Sequence, residues 1–171
     1  MLSAIIATRN NEATLGGALA DLVSAAVGGL VREVVVVDAG STDATLEIAD
    51  DAGAVILSAT GTLGERLSAG CAAAKSAWLL VLPPTPMLVP GWERPLAAQI
   101  EGGSDTACPL AATGGLAWAR PAPEGLLVSR LRYDRAGGFR PGEQPMAELL
   151  RRLGSPRRTL KIALSGRDAR R

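Results

Sequence analysis

The chain reads as an α/β domain: a mostly parallel central sheet with helices on both faces. Three observations predict this. Short apolar runs rich in Val, Ile and Leu alternate with alanine-rich stretches over residues 1–100. The runs are continuous rather than alternately polar and apolar, as strands covered on both faces require. Finally, 171 residues at 47% hydrophobic content suit one domain with its own core and leave no room for a second full one.

Taken in order, Leu2–Thr8 (LSAIIAT) is the first predicted strand and Glu33–Val37 (EVVVV), with its β-branched run, the second. Ala54–Ser58 and Ala77–Leu82 supply the third and fourth. Helices are expected near Thr14–Ala26, Asp43–Ala52 and Gly64–Ser76. Ser41 or Asp43 is placed to cap the second helix by accepting a free first-turn N–H, and Gly53 to end it. Beyond residue 86 the pattern loosens. Gly91–Ile100 reads as a helix interrupted by Pro95, and Gly102-Gly103 as a turn. Thr106–Leu110, Gly115–Ala119 and Ile162–Leu164 read as short strands, Glu124–Tyr133 is ambiguous, and Pro145–Leu153 has helical spacing with proline at its start.

Composition excludes several chemistries. With no histidine in the chain, histidine triads and histidine-ligated zinc are ruled out, and any proton transfer falls to other side chains. Cys71 and Cys108 lack metal or disulfide spacing and are expected to be buried small hydrophobes. No apolar run approaches the roughly 18 residues of a membrane span, and MLSAIIATRNNE has no leader pattern, so a cytoplasmic location is expected. The net charge of +1 hides an asymmetry. Residues 1–150 hold 10 Lys+Arg against 16 Asp+Glu, whereas Arg151 onward carries eight basic residues against Asp168 alone. That basic end suits a solvated tail, or weak contact with a membrane surface or an acidic partner; nothing points to nucleic acid.

The ordered segments AIIATRNNEATL, EVVVVDAGSTDATLEIA, GERLSAGCAAAKSAWLLVL, VPGW and YDRAGGF resemble an inverting family 2 glycosyltransferase of the GT-A fold, in particular its short bacterial members. The resemblance is dense over residues 3–100 and recurs around 127–154. It implies a single domain over residues 1–154, with a nucleotide-binding half at 1–100 and a shortened acceptor half at 101–154, followed by a basic tail at 155–171. It also implies a nucleoside diphosphate or nucleotide-sugar partner. Ligands of open parallel sheets lie at the carboxyl ends of strands, and the resemblance assigns the nucleotide to Ala7, Thr8, Arg9, Asn10, Glu12, Asp38, Gly40 and Arg66. Asp38 would accept from the pyrimidine ring and Arg66 would meet the diphosphate. Read without the family, Asp38 is a turn residue and Arg66 a solvated helix arginine.

Where the family places metal-binding carboxylates after the fourth strand, this chain has Pro83, Pro84 and Thr85, followed by Pro86. A proline side chain has no donor atom, so no metal site of the family type and no cofactor are expected. The family's acceptor base falls on Pro145 and Met146, with Glu143 the nearest acid. The catalytic residues are therefore unknown and enzymatic activity is left open. Three readings follow: an impaired transferase that keeps a nucleotide-sugar pocket, an active metal-independent transferase, and a non-catalytic interaction module acting through the basic tail.

Overall fold

The computed structural model describes residues 1–83, 88, 90–103, 105–110, 125–154 and 160. Four parallel strands, β1 (Leu2–Thr8), β2 (Val31–Asp38), β3 (Val55–Ser58) and β4 (Trp78–Leu82), alternate with α1 (Glu12–Val27), α2 (Thr45–Asp51) and α3 (Leu63–Ala73). Then come α4 (Glu93–Glu101), β5 (Cys108–Leu110), β6 (Gly125–Ser129), α5 (Arg130–Arg135) and α6 (Pro145–Leu153). The strand order is β3-β2-β1-β4-β6-β5, with β6 antiparallel to both its neighbours. The chain winds outward from β1 to β3 and then crosses back to β4. The carboxyl ends of β1 and β4 therefore flank the switch point where an open sheet leaves a crevice.

Alternate residues of each strand feed opposite cores. Ala4 and Ile6 of β1, Val34 and Val36 of β2 and Leu80 of β4 pack with Leu15, Leu19 and Leu22 of α1, Ala49 of α2 and Leu96 of α4. Ile5, Val35, Val37, Leu79 and Val81 pack on the other face with Leu67 of α3, Tyr133 of α5, and Leu149 and Leu153 of α6. The approach of α3 is close because residue 70 is glycine. A Cβ there would lie 2.6 Å from Ile5 and 2.8 Å from Val37, inside van der Waals contact.

Several boundaries differ from expectation. β2 begins at Val31, where a register irregularity lets it pair with Leu2. Pro95 does not interrupt α4, because it sits in the first turn, where backbone N–H groups have no intrahelical acceptor. Neither Ser41 nor Asp43 is the N-cap of α2; Ala44 is, without a side-chain cap. Asp43, one residue earlier, still accepts the Thr45 N–H at 3.1 Å, while Ser41 turns toward Asp38. Gly53 follows the helix with φ 70 and donates to the Asp50 carbonyl, as a left-handed terminator should. The ambiguous stretch divides into β6 and α5 at Ser129, whose side chain accepts the Arg132 N–H. Predicted strands at 115–119 and 162–164 lie outside the described residues, as do Pro84, Thr85 and Pro86. In the segment expected as a tail, the described residue packs on the fold. Leu160 is 4% exposed, bridges to Leu110, and donates its N–H to the Pro109 carbonyl.

Candidate functional site

β1 and β2 end side by side, with Thr8 opposite Asp38. Asp38 is 2% exposed. Its Oδ2 accepts the N–H groups of Gly40 and Ser41, both at 2.9 Å, and its Oδ1 accepts the Ser41 hydroxyl. A carboxylate offers roughly four acceptor positions, so the turn occupies three and leaves one for a donor from outside. Gly40 makes the turn possible through its φ of 82. Asp38 thus has both its expected place and the turn role open to any Asp at a strand end.

The loop after β1 and the loop after β2 hold one another. Asn10 adopts φ 51, a left-handed conformation that asparagine tolerates better than most residues. It donates its N–H to Ser41 Oγ at 2.8 Å, and its Oδ1 accepts the Thr42 N–H at 2.9 Å. Asn11 N–H reaches Thr45 Oγ1 at 2.8 Å, Glu12 N–H reaches Asp43 at 3.2 Å, and Glu12 Oε2 accepts the Ala44 N–H at 3.0 Å. Within the first loop, Asn11 Oδ1 accepts the Thr8 hydroxyl and the Arg9 N–H. The structure therefore brings Thr8, Arg9, Asn10, Glu12, Asp38 and Gly40 to one edge. Ala7 is different: its side chain lies in the core, which leaves only its backbone for any ligand.

Sequence reasoning missed Asn11, Ser41, Asp43 and Thr45 as the residues that fix these loops. The available signal was chemical: Asn-Asn before one helix and Ser-Thr-Asp before the other are side chains that bond nearby backbone N–H groups. Thr45 holds the Asp43 carboxyl below its ordinary range through a side-chain hydrogen bond.

A third wall comes from α3. Thr62 caps it in a reciprocal capping box with Glu65, and the Thr62 hydrogen bonds hold the Glu65 carboxyl below its usual value. Gly64 and Gly142 lock this end to the loop before α6: Gly64 N–H donates to the Gly142 carbonyl and Gly142 N–H to Thr62 Oγ1, each at 3.0 Å. A Cβ on Gly64 would fall 1.9 Å from the Arg140 carbonyl oxygen. The same edge carries the other site elements, because β3 ends with Ser58 opposite Asp38. Arg66 lies in the first turn of α3, and its Nε is buried without a hydrogen-bond partner.

Opposite, β4 pairs Leu82 with Ile6 of β1, and Pro83 follows it, half-buried. The places that the resemblance gives to a base hold Pro145, which starts α6 and is buried, and Met146, packed against the core. Glu143 is exposed in the loop locked to α3. Elsewhere, a cavity of about 260 Å³ between α3 and α5 is lined by Ser68, Cys71, Tyr133 and Phe139 among others. Burial pushes the Cys71 thiol up to about 12, so at neutral pH it is protonated and inert. Neither cysteine forms a disulfide; both are buried, on opposite faces of the sheet.

A sheet with one reversed strand, a switch-point crevice and an aspartate at the end of β2 make up a GT-A-like architecture. Residues 3–111 match the family model described as Glycosyl transferase family 2, and the chain belongs to that family. No curated protein matches it. Among solved structures, glucosyl-3-phosphoglycerate synthase of M. tuberculosis is 22% identical with a TM-score of 0.79, covering 100% of this chain and 73% of that one. The same enzyme with Mn²⁺, UDP-glucose and phosphoglyceric acid is 25% identical with a TM-score of 0.70, covering 88% and 63%. S. aureus TarS 1-349 is 18% identical with a TM-score of 0.70, covering 89% and 55%. No helix among the described residues is long and apolar enough to cross a membrane.

Proposed function

We propose that this chain is a family 2 glycosyltransferase domain that keeps a pocket for a nucleoside diphosphate or nucleotide-sugar and is catalytically impaired. The observation that carries the reading is the contrast between two strand ends. At β2, Asp38 is fixed by its own turn with one acceptor position left, and the loop of Arg9, Asn10 and Glu12 is braced beside it. At β4, the chain leaves the sheet through Pro83-Pro84-Thr85. Neither proline side chain offers a donor atom, and a neutral threonine hydroxyl is a poor substitute for the carboxylates a divalent cation needs. These residues do not fit the metal that accompanies UDP and UDP-glucose in glucosyl-3-phosphoglycerate synthase, so no step is routed through one. Pro145 and Met146 are likewise unable to accept a proton.

One observation favours the metal-independent transferase as the second reading. The hydrogen bonds of Gly142 hold the loop that bears the exposed Glu143 against α3. Calorimetry with UDP, with and without Mg²⁺ or Mn²⁺, tests the first reading. The expected result is weak binding that the metals do not enhance, abolished by Asp38→Ala. A large metal-dependent gain in affinity would overturn it. Transfer or hydrolysis of a UDP-sugar that is lost in Glu143→Gln would replace it with the second.

A further inference from the structure

We infer that Arg140, together with Arg66, forms a two-arginine clamp for the diphosphate of a bound nucleotide, in the role that a metal would otherwise fill. The inference rests on the nucleotide pocket proposed above. Most backbone donors in the first turn of α3 are already engaged. Gly64 N–H donates to the Gly142 carbonyl, Glu65 N–H to Thr62 Oγ1 at 3.4 Å, and Arg66 N–H to the Thr62 carbonyl. Negative charge at this wall is then met mainly by side chains. Arg66 leaves a buried Nε without a partner, a state that costs free energy unless an acceptor arrives.

Arg140 is brought to the same helix by its backbone. Its carbonyl sits where a side chain on Gly64 would be, two residues from Arg66. Unlike the other well-placed arginines of this half, it is not committed. Arg130, Arg132 and Arg152 donate to main-chain carbonyls, whereas the ion pair of Arg140 among the described residues is with Glu148 across 3.9 Å, with 58% of its side chain exposed. Glu148 also faces Arg152, at 3.8 Å. An exposed ion pair of that length holds a guanidinium weakly, and a diphosphate offers it bidentate geometry and more charge. Glu148 acts in this arrangement as the parking place from which Arg140 swings.

The test compares UDP with UMP by calorimetry on the full chain. Arg140→Ala should weaken UDP about tenfold, as expected for the loss of a charge-assisted contact, and leave UMP nearly unchanged. Glu148→Gln, which frees Arg140, should tighten UDP by roughly threefold; a merely structural role for Arg140 predicts no gain. If Arg140→Ala binds UDP normally while Asp38→Ala abolishes binding, the clamp is wrong and the pocket stands. If UDP fails to bind, or binds independently of Asp38, the pocket and the clamp fall together. Unchanged thermal unfolding of Arg140→Ala confirms that the comparison reads binding rather than folding.

Discussion

The two halves of the molecule are held together by different means. In residues 1–83 the sheet is parallel, with β1 and β4 buried on both faces, and the loops at its carboxyl edge are braced by side chains close to the strand ends: Asp38 with Ser41, Asn10 with Thr42, Glu12 with Ala44. After β4 the elements are shorter, and arginines do the tying. Arg130 donates to the carbonyls of Cys71, Ala74 and Ser76, joining the end of α3 to the start of α5. Arg132 reaches the carbonyls of Asp105 and Leu153, and Arg152 those of Ala136 and Gly138. A long guanidinium can satisfy several carbonyls at once where no ladder or helix is available to do so. The second half is thus built from short elements around a few multidentate anchors, while the first half keeps its own hydrogen-bonded frame.

The sharpest way to break this comparison is to remove the anchor that joins the halves. Arg130→Ala leaves three carbonyls without their charged donor and should cost about 3–4 kcal/mol of stability, measured by urea unfolding. If the loss is below about 1 kcal/mol, the carbonyls have other partners and the arginine account of the second half fails.

A smaller effect is expected at the closest helix–sheet approach. Gly70→Ala places a methyl within 2.6–2.8 Å of Ile5 and Val37, and overpacking of this kind costs roughly 1–3 kcal/mol. Replacing Gly70 therefore tests whether the first half is as tightly packed as its geometry indicates. A neutral or stabilising result, which helix propensity alone would favour, would show that α3 can ride outward freely.

The same division explains what could be read from the residues. β1 and β4 were legible almost to the residue because a strand buried on both faces leaves a continuous apolar run; β3, a partly exposed edge strand, was legible from its short apolar run alone. Asp38 and the loop at Arg9–Glu12 were legible as a place, since they sit at strand ends. Their bracing was not, because the partners of Asn10, Asn11 and Glu12 lie more than 30 positions away in sequence. The second half was harder still. Glu124–Tyr133 carries no periodicity that separates β6 from α5, and the division depends on Ser129 capping the helix and on Leu126–Ser129 pairing with β4. The lock between Gly64 and Gly142 had one faint signal, a glycine in the first turn of a helix where it weakens propensity. Without the fold, nothing says what approaches it.

The smallest predicted effect separates the halves by function rather than by stability. Ser41→Ala removes one donor to Asp38 and the acceptor of the Asn10 N–H. Tyr133→Phe removes the acceptor of the Phe139 N–H at 3.0 Å. Each change deletes neutral or singly charged hydrogen bonds at the rim of an element, so each should cost on the order of 1 kcal/mol. Their consequences for UDP should differ. Loosening Asn10 and the Asp38 turn lets the nucleotide edge sample geometries that do not bind, and affinity falls by the fraction of time spent there. The Tyr133 contact lies under α5, between the two rings that meet at 5.6 Å, and its loss should leave UDP affinity alone. Equal losses of affinity in the two variants would mean that the halves move as one body, and that the frame around Asp38 is not independent of the arginine-anchored half.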